Sequence, residues 1–361
     1  MFSMAAAGHS SDFSSIVALG MQQENPSDLF SADRQRFWRM AEPSIWSLAA
    51  DPREDPTRSI LRTLWDQPRW LEAYHLYDDR GSALFEEICQ LAEYYLSRTE
   101  DALLEKNADH IIACAPVECI VELGAGSAKK TTHLLNAQIA RRGAGIFAPI
   151  DVSLPGLRAS RDHVQRNLPQ LHFHGLHARY EEGFSSIDRN LPTLFVFLGS
   201  TIGNFSPSAF VRFFSLLSMA MGPNDYLLLG ADRVKDTRVL EPAYADSQGL
   251  TAQFILNVFA NINRVTGSNF DLAKMRYQSS YNPECAQIEM YAVSTAAHEI
   301  RFPSFGASFW WDEDARILVE ISRKFDPVRL QQQLVFFDLT PIEHFTDRND
   351  WFSLLLFKKK A

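Results

Sequence analysis

Residues 122–126 read Glu-Leu-Gly-Ala-Gly, directly after an apolar run and ahead of a helical stretch that begins near Lys130. Glycines at a strand-to-helix turn let the backbone approach a ligand closely and bend sharply. Several ligand classes use such a turn. A dinucleotide loop carries a third glycine three residues after the second, where this chain has Lys129, and this disfavours NAD. A phosphate loop ends in Gly-Lys-Ser/Thr, whereas the order here is Ala128-Lys129-Lys130-Thr131, which excludes it. What remains is the Glu-x-Gly-x-Gly form found in S-adenosylmethionine (AdoMet) binders, beside the plain alternative of a tight turn with no ligand. Asp151 ends the next apolar run, where a carboxylate would accept hydrogen bonds from ribose hydroxyls. Further on, Glu320 and Ser322 stand two residues apart in a strand-like run and so share a face. His172, His174 and His177 are also closely spaced. They have no cysteine or carboxylate at a recognised metal-binding spacing, so no metal is expected there.

The elements that must position these groups follow from the apolar pattern. Runs at 119–123, 145–150, 171–176, 194–198 and 226–230 read as strands. Helical stretches at 99–115, 130–139, 157–164 and 208–221 alternate with them. This rhythm predicts an α/β fold with a doubly wound, mainly parallel sheet covered on both faces. After Asp232 the rhythm changes. Residues 234–270 look mostly helical, 288–293 and 318–322 strand-like, 327–336 helical, and 351–357 a last strand. A second module therefore lies between the fifth strand and the C-terminal piece. Residues 1–60 read as a partly irregular extension with one helix near 31–41.

The 361 residues include 44 acidic and 35 basic side chains, a net charge of −9 with His neutral. That balance argues against nucleic acid or an anionic membrane surface as partner. Four cysteines without CxxC spacing suit reduced thiols and a cytoplasmic location. No apolar run reaches the length of a membrane span, and the N-terminus lacks the basic start of a signal peptide.

Several stretches then occur in one order: 77–85 (Tyr-Asp-Asp-Arg-Gly-Ser-Ala-Leu-Phe), 93–100 (Glu-Tyr-Tyr-Leu-Ser-Arg-Thr-Glu), 121–126, 197–204 (Phe-Leu-Gly-Ser-Thr-Ile-Gly-Asn), 230–236, Ala243-Tyr244, 288–290 and 320–325 (Glu-Ile-Ser-Arg-Lys-Phe). Together they resemble the AdoMet-dependent L-histidine Nα-methyltransferase family, which makes the betaine hercynine on the way to ergothioneine. The resemblance runs from about Leu71 to the C-terminus. It implies a Rossmann-like class I methyltransferase sheet with a second α+β substrate-binding domain. The corresponding division is an extension at 1–60, substrate segments at 61–98 and 234–324, and a methyltransferase domain at 99–233 completed by 325–361. It also implies L-histidine as the small-molecule substrate, S-adenosyl-L-homocysteine as product, and a monomer. Asn204 and Tyr244 would hold the substrate carboxylate. Tyr77 and the Gly199 carbonyl would meet the α-amine. Glu320 and Ser322 would bind the imidazole edge, with Tyr94, Met290 and Thr251 shaping the pocket. Gly124, Gly126, Lys130, Asp151 and Tyr180 would serve the cofactor. The chain departs from the family's pattern at Arg179, where an acidic residue usually accepts a hydrogen from the adenine, and at Leu96 and Ile255. An arginine has donors only, so a backbone group or Glu181 would take over that role, or the cofactor would bind less tightly. The alternatives are an Nα-methyltransferase for another amino acid, such as a tryptophan derivative, and a non-catalytic homologue that binds AdoMet or an amino acid.

Overall fold

The computed structural model describes residues 43–48, 56–187 and 191–360. The helix expected near 31–41 lies outside the described residues. In chain order the strands are β1 (Ser44–Ser47), β2 (Cys119–Glu122), β3 (Gly145–Phe147), β4 (Ile150–Asp151), β5 (Leu171–His177), β6 (Thr193–Phe197) and β7 (Tyr226–Asp232). They continue with β8 (Met275–Asn282), β9 (Gln287–Ser294), β10 (His298–Phe302), β11 (Ala307–Trp311), β12 (Arg316–Arg323), β13 (Leu339–Thr346) and β14 (Phe352–Lys359). The helices are α1 (Pro56–Trp65), α2 (Asp79–Ile88), α3 (Tyr95–Cys114), α4 (Thr132–Arg142), α5 (Leu154–Asn167), α6 (Tyr180–Phe184), α7 (Pro207–Ala220), α8 (Thr237–Leu240), α9 (Leu250–Thr266) and α10 (Pro327–Val335).

The main sheet runs β1-β5-β3-β2-β6-β7-β14-β13, with β4 also on β5. Pairings from β1 through β7 are parallel, whereas β14 runs antiparallel to both β7 and β13. This is the doubly wound α/β sheet expected from the alternating pattern. Strands buried on both faces need no polar alternation. Accordingly β6, Thr-Leu-Phe-Val-Phe, is buried throughout. Its successive side chains divide between two cores: Leu194 and Val196 join one cluster, Phe195 and Phe197 the other. Helices α3 and α4 contribute to the first cluster, α7 and α10 to the second. Ser153, Ser206 and Asp326 cap α5, α7 and α10, each with a proline in the first turn, a pairing that starts helices efficiently.

The run expected as one strand at 145–150 is divided. Pro149 has no amide hydrogen to donate, and the chain separates there into β3 and β4. After Asp232, a three-stranded antiparallel sheet β12-β9-β8 and the hairpin β10–β11 accompany α9. Their apolar residues, among them Ile255, Met290 and Val319, belong to the same cluster as one face of the main sheet. The helical expectation for 234–270 holds for α8 and α9 only, with a 3-10 turn at Glu241–Tyr244 between them. No helix among the described residues is long and apolar enough to cross a membrane.

Strand order reverses beside β2, which has β3 on one side and β6 on the other. The loops that follow β2 and β6 leave the sheet at their carboxyl ends, the position where open α/β sheets bind ligands. The 3-10 turn Thr201–Asn204 after β6 is pressed against β12. A Cβ on Gly203 would lie 2.9 Å from the Arg323 carbonyl oxygen, so only glycine permits that approach.

Candidate active site at the switch point

On the β2 side, the turn is held by its own backbone and by Asp151. Gly124 and Gly126 have φ of +78° and +49°, a region glycine enters without penalty. The Gly124 amide donates to the Ile150 carbonyl at 2.8 Å. Asp151 Oδ2 accepts from the Gly126 amide at 2.9 Å and Oδ1 from the Ser153 amide at 2.8 Å. A Cβ on Gly124 would stand 2.7 Å from the Tyr180 hydroxyl. The Tyr180 ring is itself wedged edge-on against Phe197 and Phe213. The structure therefore brings Gly124, Gly126, Asp151 and Tyr180 together around one backbone surface. Behind it Glu122 is buried, and Oε1 accepts from the Thr131 hydroxyl at 2.5 Å. Its Oε2 is buried without a partner, and burial pushes the carboxyl up to about 8.

Lys130 ion-pairs with the fully buried Glu100 of α3. Both Glu100 oxygens also accept from the Gly199 amide, at 2.8 and 2.9 Å. Glu100 thus ties the turn after β2 to the loop after β6. Gly230 makes room for it, since a Cβ there would overlap the carboxylate.

The other expected residues converge on the far side of that loop. Asn204 Nδ2 donates to Glu320 Oε1 at 2.8 Å. The Tyr244 hydroxyl lies 2.8 Å from Ser322 Oγ. Groups assigned to opposite ends of an amino acid are thus bonded in pairs, Asn204 to Glu320 and Tyr244 to Ser322. Met290 is the cross-strand partner of Glu320. Tyr94 lies edge-on to Tyr244 at 6.1 Å between ring centres. Tyr77 meets Phe85 and Phe254 edge-on, and burial and then Glu320 hold its phenol well above the usual range. Thr251 is buried in the first turn of α9, where its amide donates to Asp246 Oδ2 at 2.8 Å.

A set of residues missed by the sequence reading underlies this pocket. The Lys324 ammonium is fully buried and donates to Tyr244 Oη at 2.6 Å and Ser322 Oγ at 2.9 Å. It also pairs with Asp232 Oδ2 at 2.8 Å. Asp232, at the end of β7, has no exposure. It accepts from the Tyr95 hydroxyl and pairs with Lys235 as well. Burial opposes the charge on Lys324, but Asp232 and Tyr244 hold it above the usual lysine range. On Lys235 burial wins and lowers the ammonium to about 8. The available signal was spacing: Lys324 follows Ser322 by two and so shares its strand face.

Residues 56–359 match the family described as "Histidine-specific methyltransferase, SAM-dependent". The chain belongs to that family. It is 34% identical over 302 residues to the histidine N-alpha-methyltransferase of Mycobacterium tuberculosis, covering 84% of this chain and 94% of that protein. Identity to the protein of the same name from Mycolicibacterium smegmatis is 35% over 310 residues, covering 86% and 97%. A further match, 30% identical, is to ergothioneine biosynthesis protein 1 of Neurospora crassa, over 75% of this chain and 30% of that longer protein.

The family's cofactor fits the residues present. Gly124 is exposed, its positive φ keeps the surface free of a Cβ, and Asp151 keeps lone pairs beyond the two that bind amides. Arg179, at the family's acidic position, turns toward Glu182, its Nε 3.6 Å from Oε1. Its guanidinium also lies 6.0 Å from the centre of the Tyr74 ring. The histidines at 172–177 are elements of β5 instead: His174 is buried, and His177 Nδ1 lies 3.0 Å from Ser47 Oγ of β1.

Burial lifts the Glu320 carboxyl to about 8, against a partial downward pull from Lys324. A carboxyl raised on folding favours the folded state at low pH and loses that advantage as pH climbs through the folded value. Each pH unit in the window costs about 1.4 kcal/mol. Between pH 6 and 8 the wild type is therefore expected to lose about 2 kcal/mol more stability than Glu320→Gln in denaturant titrations. Parallel pH profiles for the two proteins would contradict the assignment.

Proposed function

We propose that this chain transfers three methyl groups in succession from AdoMet to the α-amino nitrogen of L-histidine, forming hercynine for ergothioneine biosynthesis. The observation that carries this reading is the buried Glu320 carboxyl, which accepts from the Asn204 amide beside the paired Tyr244 and Ser322 hydroxyls. Family membership and relatives named for the same reaction support it. A zwitterion with a ring N–H needs both kinds of partner: donors for its carboxylate and an acceptor for its imidazole. An indole has an N–H for Glu320 but no ring acceptor for the Ser322 hydroxyl, whereas an imidazole has both.

AdoMet supplies an electrophilic methyl group when bound, so the protein needs no nucleophile of its own. Its tasks are alignment and exclusion of water. Gly124, Gly126, Lys130, Asp151 and Tyr180 form the cofactor side, Lys130 acting through Glu100 on the Gly199 loop. Asn204 and Tyr244 hold the substrate carboxylate, and Glu320 with Ser322 holds the imidazole. Histidine binding exchanges the Asn204–Glu320 and Tyr244–Ser322 bonds for bonds to the ligand. Tyr77 and the Gly199 carbonyl face the amine. The Tyr77 phenol keeps its proton at neutral pH, so it orients the amine and does not act as its base. Its ring tolerates the growing cation through ring–cation attraction. Tyr94, Met290 and Thr251 set the pocket walls. Apart from Asn204 and Gly199, which follow β6, the substrate-side groups come from 61–98 and 234–324, which we take as one domain set against the methyltransferase sheet. We take the enzyme to be a cytoplasmic monomer, in keeping with its acidic charge and its free cysteines.

Lys324 is a positioning residue in this scheme. As an obligate donor it occupies lone pairs on both Tyr244 and Ser322. Each hydroxyl is thereby left to donate its own hydrogen, across the Tyr244–Ser322 pair in the free protein and to the ligand in the complex. Lys324→Met is expected to weaken histidine binding about tenfold with AdoMet affinity unchanged, while Asp232 keeps Lys235 and Tyr95. Equal losses for both ligands in calorimetry would remove that role from Lys324.

Mass spectrometry of histidine and tryptophan incubated with enzyme and AdoMet tests the main reading. Histidine should gain one, two and three methyl groups and tryptophan none. Conversion of tryptophan alone would overturn the substrate assignment. Glu320→Ala should cost histidine binding about 1.5–3 kcal/mol and leave AdoMet binding intact.

A further inference from the structure

The far half of α3 carries a constellation that the methyl-transfer reading does not use. His110 and Cys114 are one helical turn apart and therefore share a face. Glu343 of β13 meets that face. The ligating atoms of the three side chains all lie within 4.8 Å of one another, and His110 Nε2 is 3.3 Å from Glu343 Oε1. We propose that His110, Cys114 and Glu343 form a binding site for a thiolate-accepting divalent cation of the zinc class, with a fourth position open to water.

Two further features aim these groups. The register of β13 against β14 shifts between Pro341 and Glu343, and such bulges redirect a side chain. Phe345, two residues on and on the same strand face, lies edge-on to the His110 ring, 5.6 Å between centres and 79° between planes. That contact fixes the imidazole plane beside the carboxylate. The donor set is one nitrogen, one sulfur and one oxygen. Calcium and magnesium prefer oxygen alone, whereas zinc accepts all three and leaves a position to water where only three side chains bind.

Binding is coupled to a proton. An ordinary thiol titrates at about 8.5 and so keeps its hydrogen near neutrality. When the metal–sulfur bond forms, the S–H bond breaks and the proton passes to solvent. The bound ion would join α3 to the edge strand β13 roughly 15–20 Å along the helix from Glu100. The sequence carries no recognisable metal spacing because Glu343 comes from a distant strand. An inward-pointing charge on an edge strand also discourages sheet-to-sheet association, and that role alone would need no ion.

The test uses the full-length chain without an affinity tag, stripped by chelator and titrated with cobalt(II), then zinc(II). One equivalent of cobalt should produce a thiolate-to-cobalt charge-transfer band and the d–d bands of a tetrahedral site, both erased by zinc. Cys114→Ser should abolish the charge-transfer band, and Glu343→Gln should weaken zinc binding at least about tenfold. In the wild-type protein, which needs no substitution, zinc should slow alkylation of Cys114 at least about tenfold while leaving the exposed Cys285 unaffected. Absence of the band, its persistence in Cys114→Ser, or equal alkylation rates with and without zinc would each overturn the proposal.

Discussion

Asp232 is a fully buried carboxylate at the carboxyl end of β7, and the cleft is organised around supplying its partners. An isolated charge at that depth is prohibitively costly unless it is paired and hydrogen-bonded. Its partners come from separate parts of the chain: Tyr95 opens α3, Lys235 follows β7, and Lys324 ends the run of β12. Satisfying one carboxylate thereby docks the antiparallel sheet and the long helix onto the parallel sheet. The adjacent backbone reinforces the joint, with the Phe325 amide donating to the Asp232 carbonyl at 2.8 Å.

The same joint orients the proposed substrate pocket. Lys324 bonds at once to Asp232, Tyr244 and Ser322, so the hydroxyl hydrogens beside Glu320 are not free to choose their directions. Glu100 performs a parallel task on the proposed cofactor side, where it joins Lys130 to the Gly199 amide. Neither carboxylate needs to touch a reacting atom. For a reaction whose electrophile arrives already activated, rigid placement of an amine and exclusion of water are what the protein has to supply.

The parallel sheet was legible because its strands are short, apolar throughout and separated by amphipathic helices, as at 119–123 and 194–198. The family resemblance proposed the pocket residues through motifs; the chain's membership in the family agrees with the resemblance itself. Other features were hidden for definable reasons. Strand β8, Met-Arg-Tyr-Gln-Ser-Ser-Tyr-Asn, is polar and only half-buried along most of its length, so no apolar run marks it. Strand β13 contains Pro341 and lies at the sheet edge, where hydrophobic pattern is weakest. The hairpin β10–β11 sits in a stretch with exposed Trp310 and Phe305. Asp232, Lys324 and Glu100 stood inside recognised motifs, yet a sequence does not reveal that three charged side chains are sealed from water. The bond between Asn204 and Glu320 was equally hidden, because it spans two segments that only the fold brings together.

The account's central claim is that the pocket presents the α-nitrogen of histidine, and not a ring nitrogen, to the methyl donor. Carbon-13 NMR of the product formed with methyl-labelled AdoMet examines that directly. All of the label should appear as equivalent methyls of a trimethylammonium group on the α-nitrogen. Label on an imidazole nitrogen would show that the ring, and not the amine, faces the donor, and would contradict the placement of Glu320 and Ser322.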